Sequence, residues 1–165
     1  MKALRIAASF LFLLAATTVF AQSDAKGTFE HLKALNGTWE GKSPDGNTVK
    51  VAFRPTSGGS ALLSEVMGEH EMITMFHMDN DRVLMTHYCA AGNQPRMQAS
   101  ASPDGKTITF TFVDATNLSS PKDGHMHKLV ITMPDADHHS EDWTFVQDGK
   151  ETKEHFELAR LKTSM

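Results

Sequence analysis

Turn-forming clusters recur at roughly 8–15-residue intervals through most of the chain, and this spacing constrains the fold more than any other feature. They are Ser43-Pro44-Asp45-Gly46, Ser57-Gly58-Gly59, Asp79-Asn80-Asp81, Ala91-Gly92-Asn93, Pro103-Asp104-Gly105, Pro121-Lys122-Asp123-Gly124, Pro134-Asp135-Ala136-Asp137 and Asp148-Gly149. Gly, Pro, Asn and Asp supply the backbone angles and local side-chain bonds that tight turns need. Between them lie ten strand-length segments, near 38–42, 47–54, 60–67, 70–78, 82–90, 95–102, 106–113, 125–133, 140–147 and 150–162. Most connections are short enough for hairpins, so the expected fold is all-β: a ten-stranded antiparallel meander. So many strands must close into a barrel or split into two sheets to avoid exposed edges. One short helix precedes them: Phe29, Leu32 and Leu35 repeat at helical spacing over Thr28–Leu35, before Asn36-Gly37.

Alternation assigns the faces. Val49, Val51 and Phe53 alternate with polar neighbours, as do Ile108, Phe110 and Phe112, and then Trp143 and Phe145; these sets point inward. His125 and His127 share the parity of Leu129, Ile131 and Met133, and are read as inward too. A turn at Asn80-Asp81 pairs Met78 with Val83 and Thr74 with His87, and the face carrying Thr74, Phe76, Met85, His87 and Cys89 is preferred as the inner one. The opposite face, with Ile73, Met75 and Leu84, is nearly as apolar, and a one-residue bulge would exchange the two.

The start of the chain carries a different signal. Lys2 and Arg5 precede an apolar run from Ile6 to Phe20, with Val19-Phe20-Ala21 as a small-residue cleavage pattern. Residues 1–21 are expected to be a secretory signal peptide, leaving 22–165 as one domain in a periplasmic or secreted location. No further apolar stretch is long enough to span a bilayer. Removing Lys2 and Arg5 from the sixteen Lys and Arg leaves fourteen against twenty Asp and Glu, a balance that disfavours nucleic acid as a partner. With Cys89 the only cysteine, no intramolecular disulfide forms, and stability must come from the core.

The segment Leu35-Asn36-Gly37-Thr38-Trp39-Glu40-Gly41-Lys42, at the opening of the first strand, resembles the G-x-W-x-G motif of the calycin superfamily. That superfamily covers lipocalins, fatty-acid-binding proteins and nitrobindin-like haem proteins. The resemblance implies a barrel whose closed end is plugged by Trp39. Residues Phe76–Met97 also resemble exported bacterial proteins with lipocalin-like barrels. The final segment, His155 to Leu161, is similar to a calycin's last strand, and in nitrobindin-like proteins that strand carries the proximal haem histidine. His155 is the matching position by placement, although Phe156 and Leu158, of the opposite parity, have the composition of a core face.

Candidate site residues follow from the faces. The expected function is to hold a small apolar or amphipathic ligand inside the barrel, as a monomer or weak dimer. The lining would be Phe53, Phe76, Met85, His87, Cys89, Phe110, Phe112, His125, His127 and Trp143, with Arg96 available to a ligand carboxylate. The alternative is haem or a transition metal such as Cu or Zn, bound through His87, Cys89, His125, His127 or His155, since imidazole and thiolate suit those ions. A third reading is a filled structural or interaction barrel with no ligand. His138-His139 is expected on a solvated turn. Catalysis is not expected: His87 and Cys89 are neighbours on one strand face, yet no oxyanion-hole motif accompanies them.

Overall fold

The structure, a computed structural model, describes residues 24–43, 45–68 and 71–162. The expected signal peptide lies outside the described residues. Helix α1 (Ala25–Lys33) leads into ten strands: β1 (Gly37–Lys42), β2 (Thr48–Thr56), β3 (Ala61–Met67), β4 (Met72–Asp79), β5 (Arg82–Tyr88), β6 (Gln94–Ala101), β7 (Thr107–Thr116), β8 (His125–Thr132), β9 (His138–Gln147) and β10 (Lys150–Arg160). Each strand pairs antiparallel with the next, and β1 pairs with β10 to close the barrel. Closure removes both free edges.

Local chemistry explains the punctuation. Asp148 and Gly149 both take positive φ, 51° and 74°, which is what a two-residue hairpin between right-twisted strands requires. Asp24 caps α1 by accepting from the Lys26 N–H at 3.1 Å, so the helix starts at Ala25, three residues before the expected Thr28. Phe29, Leu32 and Leu35 enter the barrel core, and α1 packs against β2, β4 and β5 across one end of the barrel.

The opening motif of β1 acquires a physical role at the seam. A Cβ on Gly41 would stand 2.0 Å from the Glu157 carbonyl oxygen, so only glycine lets β1 approach β10 there. Trp39 is buried at the α1 end, donating from Nε1 to the Leu35 carbonyl at 2.8 Å. The Arg160 guanidinium lies 4.0 Å from the Trp39 ring centroid and donates to the carbonyls of Ala34, Asn36 and Ala136. One side chain of β10 thereby ties the end of α1, β1 and the β8–β9 turn together.

The preferred face of the β4–β5 hairpin is the inner one: Thr74, Phe76, Val83, Met85 and His87 are buried, while Ile73 and Tyr88 are exposed. The wall is not uniform at the opposite end from α1. The β7–β8 ladder stops at Thr111–Lys128, although β7 continues on β6 as far as Thr116 and β8 continues on β9 back to His125. The two strands therefore part there, and residues 117–124 connect them.

Candidate functional site

Two groups of polar side chains stand among the apolar lining. The first is deep. His87 and Thr74 are directly opposed on β5 and β4, with Thr74 Oγ1 2.9 Å from His87 Nδ1. The imidazole packs against Trp143 with ring centroids 4.8 Å apart. His87 is only 1% exposed, and its Nε2 has no hydrogen-bond partner. Burial pushes its pKa down to about 4, against a smaller upward pull from the Glu141 carboxylate. The ring is therefore neutral at physiological pH, with one nitrogen anchored and one free.

Trp143 continues the deep group along β9. Its indole Nε1 donates to Glu141 Oε2 at 2.9 Å, and the other carboxylate oxygen lies 3.2 Å from His139 Nε2. His139 meets the Trp39 ring edge-on at 4.3 Å. Glu141 and His139 are both buried, at 3% and 1% exposure. A carboxylate in such a place is tolerable because both of its oxygens are partnered. His139 departs from the expected solvated turn: β9 begins at His138, and His139 shares the inward parity of Trp143, whereas His138 is exposed and faces Asp135. Glu141 belongs to the same parity. Extending the Trp143 alternation four residues back was the signal that would have found both.

The second group sits where β7 and β8 part. The pairing of β8 with β9 shifts between Met126 and Lys128, making His127 an extra residue. Parity changes across the bulge. Met126, of the parity opposite to Leu129 and Ile131, joins the core, while His125 and His127 stack against Phe112 at centroid distances of 4.8 and 5.1 Å. His125 Nδ1 lies 2.8 Å from the Asp123 carbonyl and its Nε2 lies 3.3 Å from His127 Nδ1. These three rings, with Leu118, Pro121 and Val146, border a cavity of about 420 Å³. Asn93 on the β5–β6 connection holds the approach to His125, donating from Nδ2 to the Gly124 carbonyl at 2.8 Å.

The expected lining divides accordingly. Phe53, Phe76, Met85 and Phe110 are buried in the core, with Phe76 and Phe110 in contact at 5.3 Å. Cys89 is half-buried on the His87 face, its sulfur 3.5 Å from the Ala91 N–H. Two further expectations are corrected. Arg96 is exposed on the outer face, forked onto Asp114 on β7, so it is not available to an interior carboxylate. His155 also faces outward: its Nδ1 lies 2.7 Å from Asp142 and its Nε2 2.9 Å from Glu157. Those carboxylates raise its pKa. Leu158 and Phe156, of the other parity, take the interior. With both ring nitrogens engaged outside the barrel, His155 does not fit the role of an interior haem ligand. Among the described residues no three His, Cys, Asp or Glu side chains gather into a metal-holding group.

No family profile and no curated protein matches the chain. Solved structures do. The crystal structure of Rv2717c from M. tuberculosis aligns with a TM-score of 0.59 at 16% identity, over 82% of this chain and 98% of that one. A redesigned β-barrel aligns with a TM-score of 0.36 at 15% identity, over 79% and 94%. The likeness to Rv2717c is one of fold: this chain is a closed ten-stranded antiparallel barrel with a short helix before its first strand.

Proposed function

We propose that this chain is an exported, calycin-type barrel that holds a small, mostly apolar molecule in its interior, with His87 fixing the molecule's polar end. One observation carries the reading: His87 Nε2 is buried, free of any partner, and held in place from behind by Thr74 and from the side by Trp143. A buried polar atom without a partner is costly, and a ligand hydroxyl, carbonyl or protonated carboxyl would supply the missing bond. The aromatic and thioether side chains beside it, Phe53, Phe76, Met85, Phe110 and Trp143, suit an apolar body. The calycin assignment draws on the Gly37-Thr38-Trp39-Glu40-Gly41 motif and its place at the seam of the barrel. The exported location draws on the pattern of residues 1–21.

The test is fluorescence titration with a polyene fatty acid and with the corresponding hydrocarbon. The wild type should bind the acid in the micromolar range. His87→Phe keeps a ring in place but removes the nitrogen, and should weaken the acid about tenfold, as expected for one lost hydrogen bond, while sparing the hydrocarbon. Equal affinities in the two proteins would refute the role of His87.

A further inference from the structure

We propose that His125 and His127 form a two-histidine site for a divalent transition-metal ion in the opening between β7 and β8, separate from the interior ligand. The first support is distance. Two imidazole nitrogens bound to one tetrahedral ion at about 2.0–2.1 Å stand roughly 3.3–3.4 Å apart. His125 Nε2 and His127 Nδ1 are 3.3 Å apart before any ion is added.

The second support is the proton inventory. The Asp123 carbonyl can only accept, so His125 Nδ1 carries the proton and Nε2 presents its lone pair. A ring N–H donated to a backbone carbonyl is the usual outer support of a metal-bound histidine, fixing both tautomer and orientation. In the metal-free chain His127 Nδ1–H donates to His125 Nε2. On binding, the His127 proton moves to its own Nε2, and both lone pairs face the ion with no net loss of protons.

Rigidity and access complete the case. Phe112 is stacked on His127 with ring planes only 20° apart, and Gly124 is held by Asn93 beside His125. The adjoining cavity of about 420 Å³ leaves room for water or an outside ligand at the remaining coordination positions. Copper(II) should bind more tightly than zinc(II), following the general affinity order for nitrogen sites.

The experiment is copper(II) and zinc(II) titration of the full folded protein, carrying no polyhistidine tag, followed by calorimetry and by electron paramagnetic resonance of the copper form. One copper per chain with nitrogen hyperfine structure from two imidazoles is expected. His125→Gln and His127→Gln should each weaken binding at least tenfold, with circular dichroism of each variant matching the wild type. His138→Ala and His155→Ala, both on the outer face, should leave binding unchanged. Binding that survives both glutamine variants would be adventitious and would overturn the proposal, as would the absence of any copper bound by the wild type. Since His127 is partly exposed at a bulge, His127→Gln decides the matter even if the more buried His125 variant fails to fold.

Discussion

His87 should make the barrel sensitive to mild acid. Its ring is pushed down to about 4 by burial, against 6.5 for an unhindered imidazole. The unfolded chain therefore binds this proton more readily than the folded one, so stability rises with pH across that interval and falls as pH drops through it. The full difference corresponds to roughly 3.4 kcal/mol, reached only below about pH 4. Between about pH 7 and pH 5 the linkage integral gives about 1.8 kcal/mol of lost stability from this one side chain. His127, also lowered by burial, adds a slope of the same sign, while His155, raised by Asp142 and Glu157, contributes the opposite sign. The clean measurement is thus a difference between two proteins. Urea unfolding of the wild type and of His87→Gln at several pH values should show the wild type losing about 1.8 kcal/mol more than the variant over the interval. Parallel pH profiles would refute the account of His87 as a buried neutral ring, as would a folded-state titration near 6.5 followed by nuclear magnetic resonance.

Other consequences follow from single contacts. Gly41→Ala would drive a Cβ onto the Glu157 carbonyl at the closing seam and should cost about 3 kcal/mol or more in urea unfolding. Arg160→Ala removes the stack on Trp39 and three carbonyl contacts, and should cost about 2–3 kcal/mol, with faster hydrogen exchange at the end of α1. Glu141→Leu strands the Trp143 indole N–H and His139, and should destabilise by about 2–4 kcal/mol with a shift in tryptophan fluorescence. Asp114→Asn, by contrast, breaks only an exposed pair with Arg96 and should leave the unfolding midpoint unchanged within error.

The fold was legible because turns and alternation are local. All ten strands fall within a few residues of their expected positions, and the inner face of the β4–β5 hairpin is the preferred one. The helix starts earlier than its apolar period because the Asp24 cap, not the period, sets its first turn. The site was legible only where parity ran unbroken. His87, Met85 and Trp143 follow it and are buried. His139 follows it too, but its place just after Asp135 and Asp137 has the composition of a solvated turn; the Trp39 ring it meets comes from β1, two strands along the wall, and Glu141, which it also faces, shares its parity on β9. At Met126–Lys128 a bulge, which no local composition announces, moves a methionine into the core and turns two histidines onto Phe112. Arg96 was assigned by its chemistry alone, and the carboxylate that claims it, Asp114, comes from the neighbouring strand.

The central claim is that the barrel holds a mostly apolar molecule through His87. Native mass spectrometry tests it most directly, applied to the protein from cells of its own source, wild type beside His87→Phe. The account predicts an added organic mass of a few hundred daltons on the wild type that is diminished or absent on the variant. A bare chain in both, or the same added mass on both, would contradict it.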